Sequence, residues 1–365
     1  MLVQQQETVA SIIKEALATL DVTDINIILD RPKSAEHGDI ACNIAMQLAR
    51  VLKQKPRDIA DKLVGLIKAN PKSQTLFKNI EIAGPGFINF FLADDARFET
   101  IRKILTDKEA YGFNHDHDGE SVLLEFVSAN PTGPLHLGHA RQGALGDTLA
   151  NLLQTQGWKV TREFYYNDAG VQINNLAESI RLRALELLGE NITLPESAYH
   201  GEYIVSIAKE YLAKKPVHTH NGDVIASEGD LNDINSIRRY GVAYLRNEQD
   251  DDLNALGVHF DNFYLESSLY SSGRVQAAVE NMIKSGYTYE QDGALWLRTT
   301  ACEKLGIHDD KDRVMKKADG TYTYFVPDVA YHLAKFERGF TKAVNIQGSD
   351  HHGTIARVRC GLQCV

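Results

Sequence analysis

Val122-Leu-Leu-Glu-Phe-Val127, followed at once by Ser128-Ala-Asn-Pro-Thr-Gly-Pro-Leu-His-Leu-Gly-His-Ala-Arg141, decides how this chain is read. The first six residues form a continuous β-type run, the pattern of a strand buried on both faces. Pro131, Gly133 and Pro134 then hold a tight, extended loop. A helix is expected over residues 138–156, Gly157 punctuates, and residues 159–166 read as a second strand. Strand, loop, helix and strand in that order open a doubly wound, Rossmann-like parallel α/β sheet. Ligands of such sheets sit beyond the carboxyl ends of the strands, where the Pro/Gly loop falls.

The loop carries its own chemistry. His136 and His139 are three residues apart at the start of a helix, so they share a face of its first turn. There they meet the positive end of the helix dipole, which favours an anion. Gly138, without a side chain, lets a flat base or ribose approach the backbone. Two imidazoles can donate hydrogen bonds to phosphate oxygens as negative charge grows during a displacement at phosphorus. Two histidines at this spacing also describe a surface pair or half a metal site, but no third ligand lies nearby and no metal is expected. Glu125 interrupts an apolar run, and Asp328 stands beside Pro327 where another helix begins. A carboxylate at the mouth of a buried sheet is costly unless a cation meets it. That cation is either a structural Lys or Arg or a ligand, and Asp328 can also serve as a helix cap.

Working outward, residues 1–112 read as a small α+β unit. Helices are expected over residues 9–20 and 39–52 and from Pro56 to just before Pro71; strands are expected over 79–83 and 87–92. Gly84-Pro85-Gly86 between the strands suits a type II turn with positive φ at Gly86. Asn114-His-Asp-His-Asp-Gly119 is a polar joint, and residues 119–365 form the Rossmann-like domain. Residues 170–285 are mostly helical in pattern and read as an insertion between two halves of the sheet. The sheet is expected to resume at Gly293-Ala-Leu-Trp-Leu-Arg298, followed by a hairpin at Asp319-Gly320, a helix over 326–336 and a strand over 343–347. Gly348-Ser-Asp-His-His-Gly353 then leads into one more helix.

Composition narrows the class. A 365-residue chain with 43% hydrophobic and 24% charged residues suits a globular protein of two domains or one domain with an insertion. No apolar run approaches the roughly 18 residues that span a bilayer, and the N-terminus lacks a signal-peptide pattern. Cys42, Cys302, Cys360 and Cys364 follow no disulfide or redox spacing, so the expected compartment is the cytoplasm. A net charge of −10 disfavours a nucleic-acid partner unless a local basic face supplies one.

His136-Leu-Gly-His139 matches the H-x-G-H signature of class I aminoacyl-tRNA synthetases, and the string from Glu125 to Arg141 resembles the arginyl enzymes in particular. Tyr166-Asn-Asp-Ala-Gly170, Tyr324-Phe-Val-Pro-Asp-Val-Ala-Tyr-His332 and Gly348–Gly353 agree with the same family. So do His37-Gly-Asp-Ile-Ala-Cys-Asn43 and Gly84-Pro-Gly-Phe-Ile-Asn89, which resemble the extra domain preceding the catalytic one. The resemblance implies a ligase that uses ATP, with Mg²⁺ on its phosphates, to form arginyl-adenylate and pass arginine to tRNA(Arg), with tRNA needed for activation. It implies that His136 and His139 are catalytic. It also implies ATP contacts from His136, Gly138, His139, Asp350 and His352, and arginine contacts from Glu125, Asn130, Tyr324 and Asp328. Asp168 and Gln172 fall in a matching segment and are possible site residues. A monomer in the cytoplasm, with no membrane partner, is expected. The implied selectivity has a physical basis, because planar bidentate pairing with carboxylates separates arginine from lysine.

Two family features are expected C-terminal to Gly353: the lysine-containing K-M-S-K-S loop and a helical domain gripping the anticodon stem. Val314-Met-Lys-Lys317 lies on the wrong side of Asp328 to be that loop and reads as a strand edge. The chain is therefore expected to be an incomplete catalytic domain with little activity alone. Another reading makes it a non-catalytic RNA-binding or regulatory piece, with residues 1–112 touching the tRNA elbow. A third makes it a different enzyme of the same signature superfamily.

Overall fold

The computed structural model describes residues 3–23, 25–168, 170–302 and 309–365, without the side chains of residues 3, 4, 97 and 350. It separates into two compact units, Met1–Gly112 and Phe113–Val365.

The first unit comprises α1 (Val3–Ala18), β1 (Leu29–Asp30), β2 (Ile40–Cys42), α2 (Ile44–Leu52), α3 (Pro56–Ala69), α4 (Pro71–Leu76), β3 (Phe77–Ala83), β4 (Phe87–Leu92) and α5 (Asp94–Asp107). Its sheet runs β1-β2-β4-β3 and is antiparallel. Helices α1, α2 and α3 bury Ile12, Ile13, Leu48, Ile59 and Leu63 in one core with Ile40, Ile88 and Phe90 of the sheet. The helix from Pro56 ends before Pro71 as expected, and three features go beyond or against the expectations. Residues 40–42 form a strand rather than the start of a helix, because Ile40 and Cys42 pair with Phe90 and Ile88 and Asp39 accepts the Leu92 N–H at 2.9 Å. Pro71 opens another helix, with the Asn70 side chain accepting from Lys72 N–H. Gly86 has the expected positive φ, 137°, but the turn closes one residue early, from Gly86 N–H to Ala83 carbonyl, so the left-handed residue at its first central position is Gly84, φ 52°.

The second unit comprises β5 (Ser121–Glu125), α6 (Leu137–Thr155), β6 (Lys159–Tyr166), α7 (Val171–Leu187), α8 (Glu202–Leu212), β7 (Val217–His218), β8 (Val224–Ile225), α9 (Ile234–Ala255), β9 (Asn262–Leu265), α10 (Glu266–Ser271), α11 (Arg274–Lys284), β10 (Thr288–Gln291), β11 (Ala294–Leu297), β12 (Arg313–Lys316), α12 (Phe325–Glu337), β13 (Lys342–Asn345) and α13 (His352–Cys364). Its main sheet is parallel throughout, in the order β13-β5-β6-β9. The chain leaves β5 toward β6 and β9, then returns to lay β13 on the opposite side of β5. The carboxyl ends of β5 and β13 therefore flank the point where strand order reverses, where such sheets bind ligands.

The stretch over residues 170–285 is mostly helical, as expected, but not all of it lies outside the main sheet. Residues 262–265 pair with β6 as the edge strand of the main sheet, and β7–β8 is a small hairpin. Residues 293–298 do not resume the parallel sheet. Asp292 and Gly293 have φ of 52° and 72°, the paired left-handed residues of a tight hairpin turn. That turn forces β11 antiparallel to β10, and β12 completes a separate three-stranded sheet.

A buried polar row crosses the main sheet and positions α12. Glu125 lies opposite both Asn345 and Glu163, and Glu163 lies opposite Asn262. Tyr331 and Lys335 of α12, with its C-cap residue Arg338, recur at helical spacing and satisfy this row. Lys335 Nζ donates to Glu125 Oε2 at 2.5 Å and to Asn345 Oδ1 at 2.8 Å. Arg338 is bidentate on Glu163 at 2.5 and 2.9 Å, and Tyr331 Oη donates to Glu163 at 2.6 Å. Burial would raise the Glu163 carboxyl, but Arg338, Tyr331 and Asn262 outweigh it and hold the group below its ordinary value. Asp328 is on the same helical face, seven residues or about 10 Å before Lys335. Among the described residues no helix is long and apolar enough to cross a membrane.

Candidate active site

The crevice beyond β5 and β13 begins with a strained turn. Val127 and Ser128 both take positive φ, 65° and 47°. For a β-branched residue this is costly, and such strain concentrates at functional sites. Ser128 Oγ holds the turn by accepting from Tyr165 N–H at 3.2 Å while donating to Glu125 Oε1 at 3.2 Å. The Pro/Gly loop that follows is pinned by helices of the region between β6 and β9. The wholly buried Gln249 of α9 donates to the carbonyls of Asn130 and Gly133 at 3.0 and 2.8 Å. Tyr203 of α8 donates to the Thr132 carbonyl at 2.9 Å.

His136 caps α6 with its own ring. Its Nδ1 accepts from Gly138 N–H at 3.1 Å, and His139 Nδ1 accepts from His136 N–H at 3.3 Å. The rings stack with centroids 3.8 Å apart. Because backbone N–H groups occupy both Nδ1 atoms, each neutral ring carries its proton on Nε2, giving a pair of donors. Burial, then the neighbouring His136, pulls the His139 pKa below its ordinary value and keeps that ring neutral. Gly138 has a different first reason from the one expected: a Cβ there would fall 2.9 Å from His136 Cε1 and 3.0 Å from its Nδ1. A side chain would displace the capping ring before it met any base.

The segment after β13 closes the other wall. With its amide oriented to match donors and acceptors, Gln142 donates to the Val127 carbonyl at 3.1 Å and accepts from Gly348 N–H at 3.2 Å. It ties the two loops together across the switch point. His352 starts α13 and is exposed. The side chain of Asp350 lies outside the described residues.

The acidic residues sort into two kinds. Glu125 is nearly buried and already paired with Lys335, so it meets a structural cation. Asp328 has no such partner: among the described residues no hydrogen bond or ion pair reaches its carboxylate. Burial first, then Glu125 and Glu266, push its carboxyl up to about 7, with Lys335 only partly offsetting them. Glu266, the first residue of α10, is likewise raised by burial and by Asp168, against the bond it accepts from Tyr165 Oη at 3.1 Å. Asp168 accepts from both N–H and Oγ of Ser267 at 2.9 and 2.7 Å. Asn130 donates to Gln172 Oε1 at 2.6 Å. Tyr324, expected in a pocket wall, is 79% exposed. The Tyr165 ring instead stacks on Tyr331, with centroids 4.2 Å apart, and the charges of Glu266, Asp328 and Glu125 all bear on its hydroxyl.

Two family profiles cover this chain. One, described as the arginyl tRNA synthetase N terminal domain, matches residues 7–92. The other, described as tRNA synthetases class I (R), catalytic domain, matches residues 100–355. The chain belongs to the class I arginyl-tRNA synthetase family. The arginine–tRNA ligase of Cupriavidus metallidurans is 57% identical over 366 residues, covering 100% of this chain and 60% of that protein. The arginine–tRNA ligase of Cupriavidus taiwanensis is 58% identical over 95% of this chain and 58% of its own length. This family member thus spans about three fifths of those relatives. The Thermus thermophilus arginyl-tRNA synthetase structure shares the fold, with TM-score 0.66 and 22% identity over 98% of this chain and 62% of its own.

Glu266, Tyr165, Lys335 and Gln249 were not singled out in the sequence. Glu266 resembles an ordinary helix-initial acid and Lys335 an ordinary helix lysine. Gln249 carries no distinguishing signal, since Asn247 is equally uncharged within the otherwise charged run Arg246–Asp252.

Proposed function

We propose that the protein to which this chain belongs activates arginine with ATP and transfers it to tRNA(Arg). The observation that carries the reading is the uncompensated acid pair. Asp328 and Glu266 crowd one crevice with raised pKa values, and the buried lysine beside them is already taken by Glu125. A cationic ligand relieves this repulsion, and a planar guanidinium can pair with two carboxylates where a lysine ammonium acts as a point charge. Asn130 and Gln172 supply neutral polar groups for the ligand's α-amino end, and Tyr324 is free to close over it.

In this reading the arginine carboxylate attacks the α-phosphorus of ATP. The new bond is carboxylate oxygen to phosphorus, the bond to the β-phosphate oxygen breaks, and pyrophosphate leaves. No side-chain nucleophile is required, so the protein contributes positioning and charge stabilisation. The Nε2–H donors of His136 and His139, at the positive end of α6, suit the growing phosphate charge. Gly138 holds the His136 ring in place, and His352 flanks the nucleotide. The donors at α6 are N–H groups, which fit phosphate oxygens rather than a metal; Mg²⁺ would arrive with the nucleotide's phosphates. The ribose hydroxyl of the tRNA 3′ end then attacks the adenylate carbonyl and AMP departs.

The test begins with binding. Arginine is expected to raise the melting temperature of the chain, while lysine and citrulline leave it unchanged; an equal shift with lysine would sink the reading. Arginine-dependent ATP–pyrophosphate exchange with tRNA present is expected to fall about 10²–10³-fold in His139→Ala.

A further inference from the structure

The loop that joins β5 to α6 has little backbone bonding of its own. Pro131 and Pro134 carry no N–H and cannot donate to it. Within residues 129–135 the backbone bond runs from Thr132 N–H to the Asn130 carbonyl, at 2.8 Å. Side chains from three helices supply what the backbone lacks. Gln249 of α9 donates to the Asn130 and Gly133 carbonyls at 3.0 and 2.8 Å. Tyr203 of α8 donates to the Thr132 carbonyl at 2.9 Å, and Gln172 of α7 accepts from the Asn130 amide at 2.6 Å. These helices share a hydrophobic core that includes Leu176, Ile180, Ile207 and Tyr240, all wholly buried. The platform that holds the loop is therefore packed independently of the bonds it makes to the loop.

We propose that Gln249 is a positioning residue for the reaction, setting through the loop where Asn130 and His136 stand. The proposal rests on the function proposed above and deepens its account of the same site. Gln249 is wholly buried, and both N–H groups of its Nε2 are spent on two carbonyls of one short turn. One of those carbonyls belongs to Asn130 itself. The other belongs to Gly133, which only Pro134 and Leu135 separate from His136. Because the proline ring fixes φ, a displacement at Gly133 is passed along to the ring that caps α6. Chemistry that depends on positioning is sensitive to shifts of about 1 Å. The requirement is for an amide in particular. A methionine fills similar space but donates nothing, and an ionised glutamate turns an acceptor against both carbonyls.

The test compares Gln249→Met and Gln249→Glu with wild type in the protein to which this chain belongs. Arginine-dependent ATP–pyrophosphate exchange is followed with tRNA present, well below the melting temperature. In Gln249→Met, kcat is expected to fall about 10²-fold while KM for ATP changes less than about threefold, the mark of a loss felt in the transition state. In Gln249→Glu, activity relative to wild type is expected to rise as pH falls from 8 to 6. Protonation gives the carboxyl one bond to donate and ends its repulsion of the two carbonyls. For Gln249→Met the same ratio stays flat. A wild-type kcat in Gln249→Met, or a flat ratio in Gln249→Glu, overturns the proposal. Amide hydrogen exchange of the chain is read in parallel. Residues 132–139 are expected to exchange about tenfold faster in Gln249→Met, while residues 204–211 of α8 keep their rates. Unchanged rates over 132–139 also overturn it. If wild type shows neither pyrophosphate exchange nor an arginine-induced melting shift, the activation reading fails, while the amide comparison still judges the hold on the loop.

Discussion

At the residue scale, Asp328 departs furthest from the behaviour of a surface carboxylate. Its carboxyl stands near 3.8 in the unfolded chain and is pushed up to about 7 in the folded one. Between these values the folded chain holds a proton that the unfolded chain lacks, so stability falls as pH rises through that window. Asp328→Asn removes the penalty. It is expected to raise the melting temperature near pH 8 by roughly 2–4 °C, the size of an effect of about 1 kcal/mol in a domain of this size. Near pH 5 the gain should be smaller, and it should vanish only below the unfolded value near 3.8. Arginine binding works in the opposite direction, because a guanidinium favours the ionised carboxylate. Titration calorimetry of wild type should show arginine affinity rising from pH 6 to pH 8 with protons released on binding. A flat pH profile would mean that Asp328 does not meet the ligand.

At the element scale, α12 is the part whose placement sets the crevice. Tyr331, Lys335 and Arg338 anchor it to a polar row that crosses the sheet from Asn345 to Asn262. Lys335→Met breaks the buried pair and leaves Glu125 without its ammonium, a change expected to cost about 3–5 kcal/mol. Urea denaturation measures this, and adding Glu125→Gln to the same chain should recover part of the loss. If the single variant is as stable as wild type, the row does not anchor the helix. Much of α12 was legible beforehand, because residues 326–336 carry an unbroken helical pattern. The strand over residues 40–42 was not, because its identity comes from pairing with Phe90 and Ile88 some 50 positions away. The hairpin at Asp292-Gly293 shows a different failure. Its turn signal is local, yet an apolar run after it reads equally well as a buried parallel strand until the turn geometry is known.

At the scale of the whole molecule, the chain divides into two units with separate cores. The first has a core of its own, with Ile12, Ile40, Leu63 and Phe90 fully or almost fully buried. Residues 1–112 expressed alone are therefore expected to unfold in one cooperative transition, followed by circular dichroism in urea. A broad, non-cooperative loss of signal would show that this core is insufficient. The main sheet illustrates how the active-site crevice is assembled. Its β5, β9 and β13 begin at residues 121, 262 and 342, yet their carboxyl ends converge on one crevice because parallel strands all finish on the same edge.

The sequence by itself determined the class of fold, the strand–loop–helix unit that carries His136 and His139, and the family. Those are properties of short contiguous segments, where hydrophobic period, turn residues and signature spacing are written locally. Only the tertiary structure decided which carboxylates are free. Glu125 and Asp328 look alike in the sequence, but Lys335 lies 210 positions from one and satisfies it, while the other is left crowded by Glu266. Charge compensation depends on distances in space, and a distance between residues on different elements is fixed by the register of the sheet and the rotation of the helix packed on it.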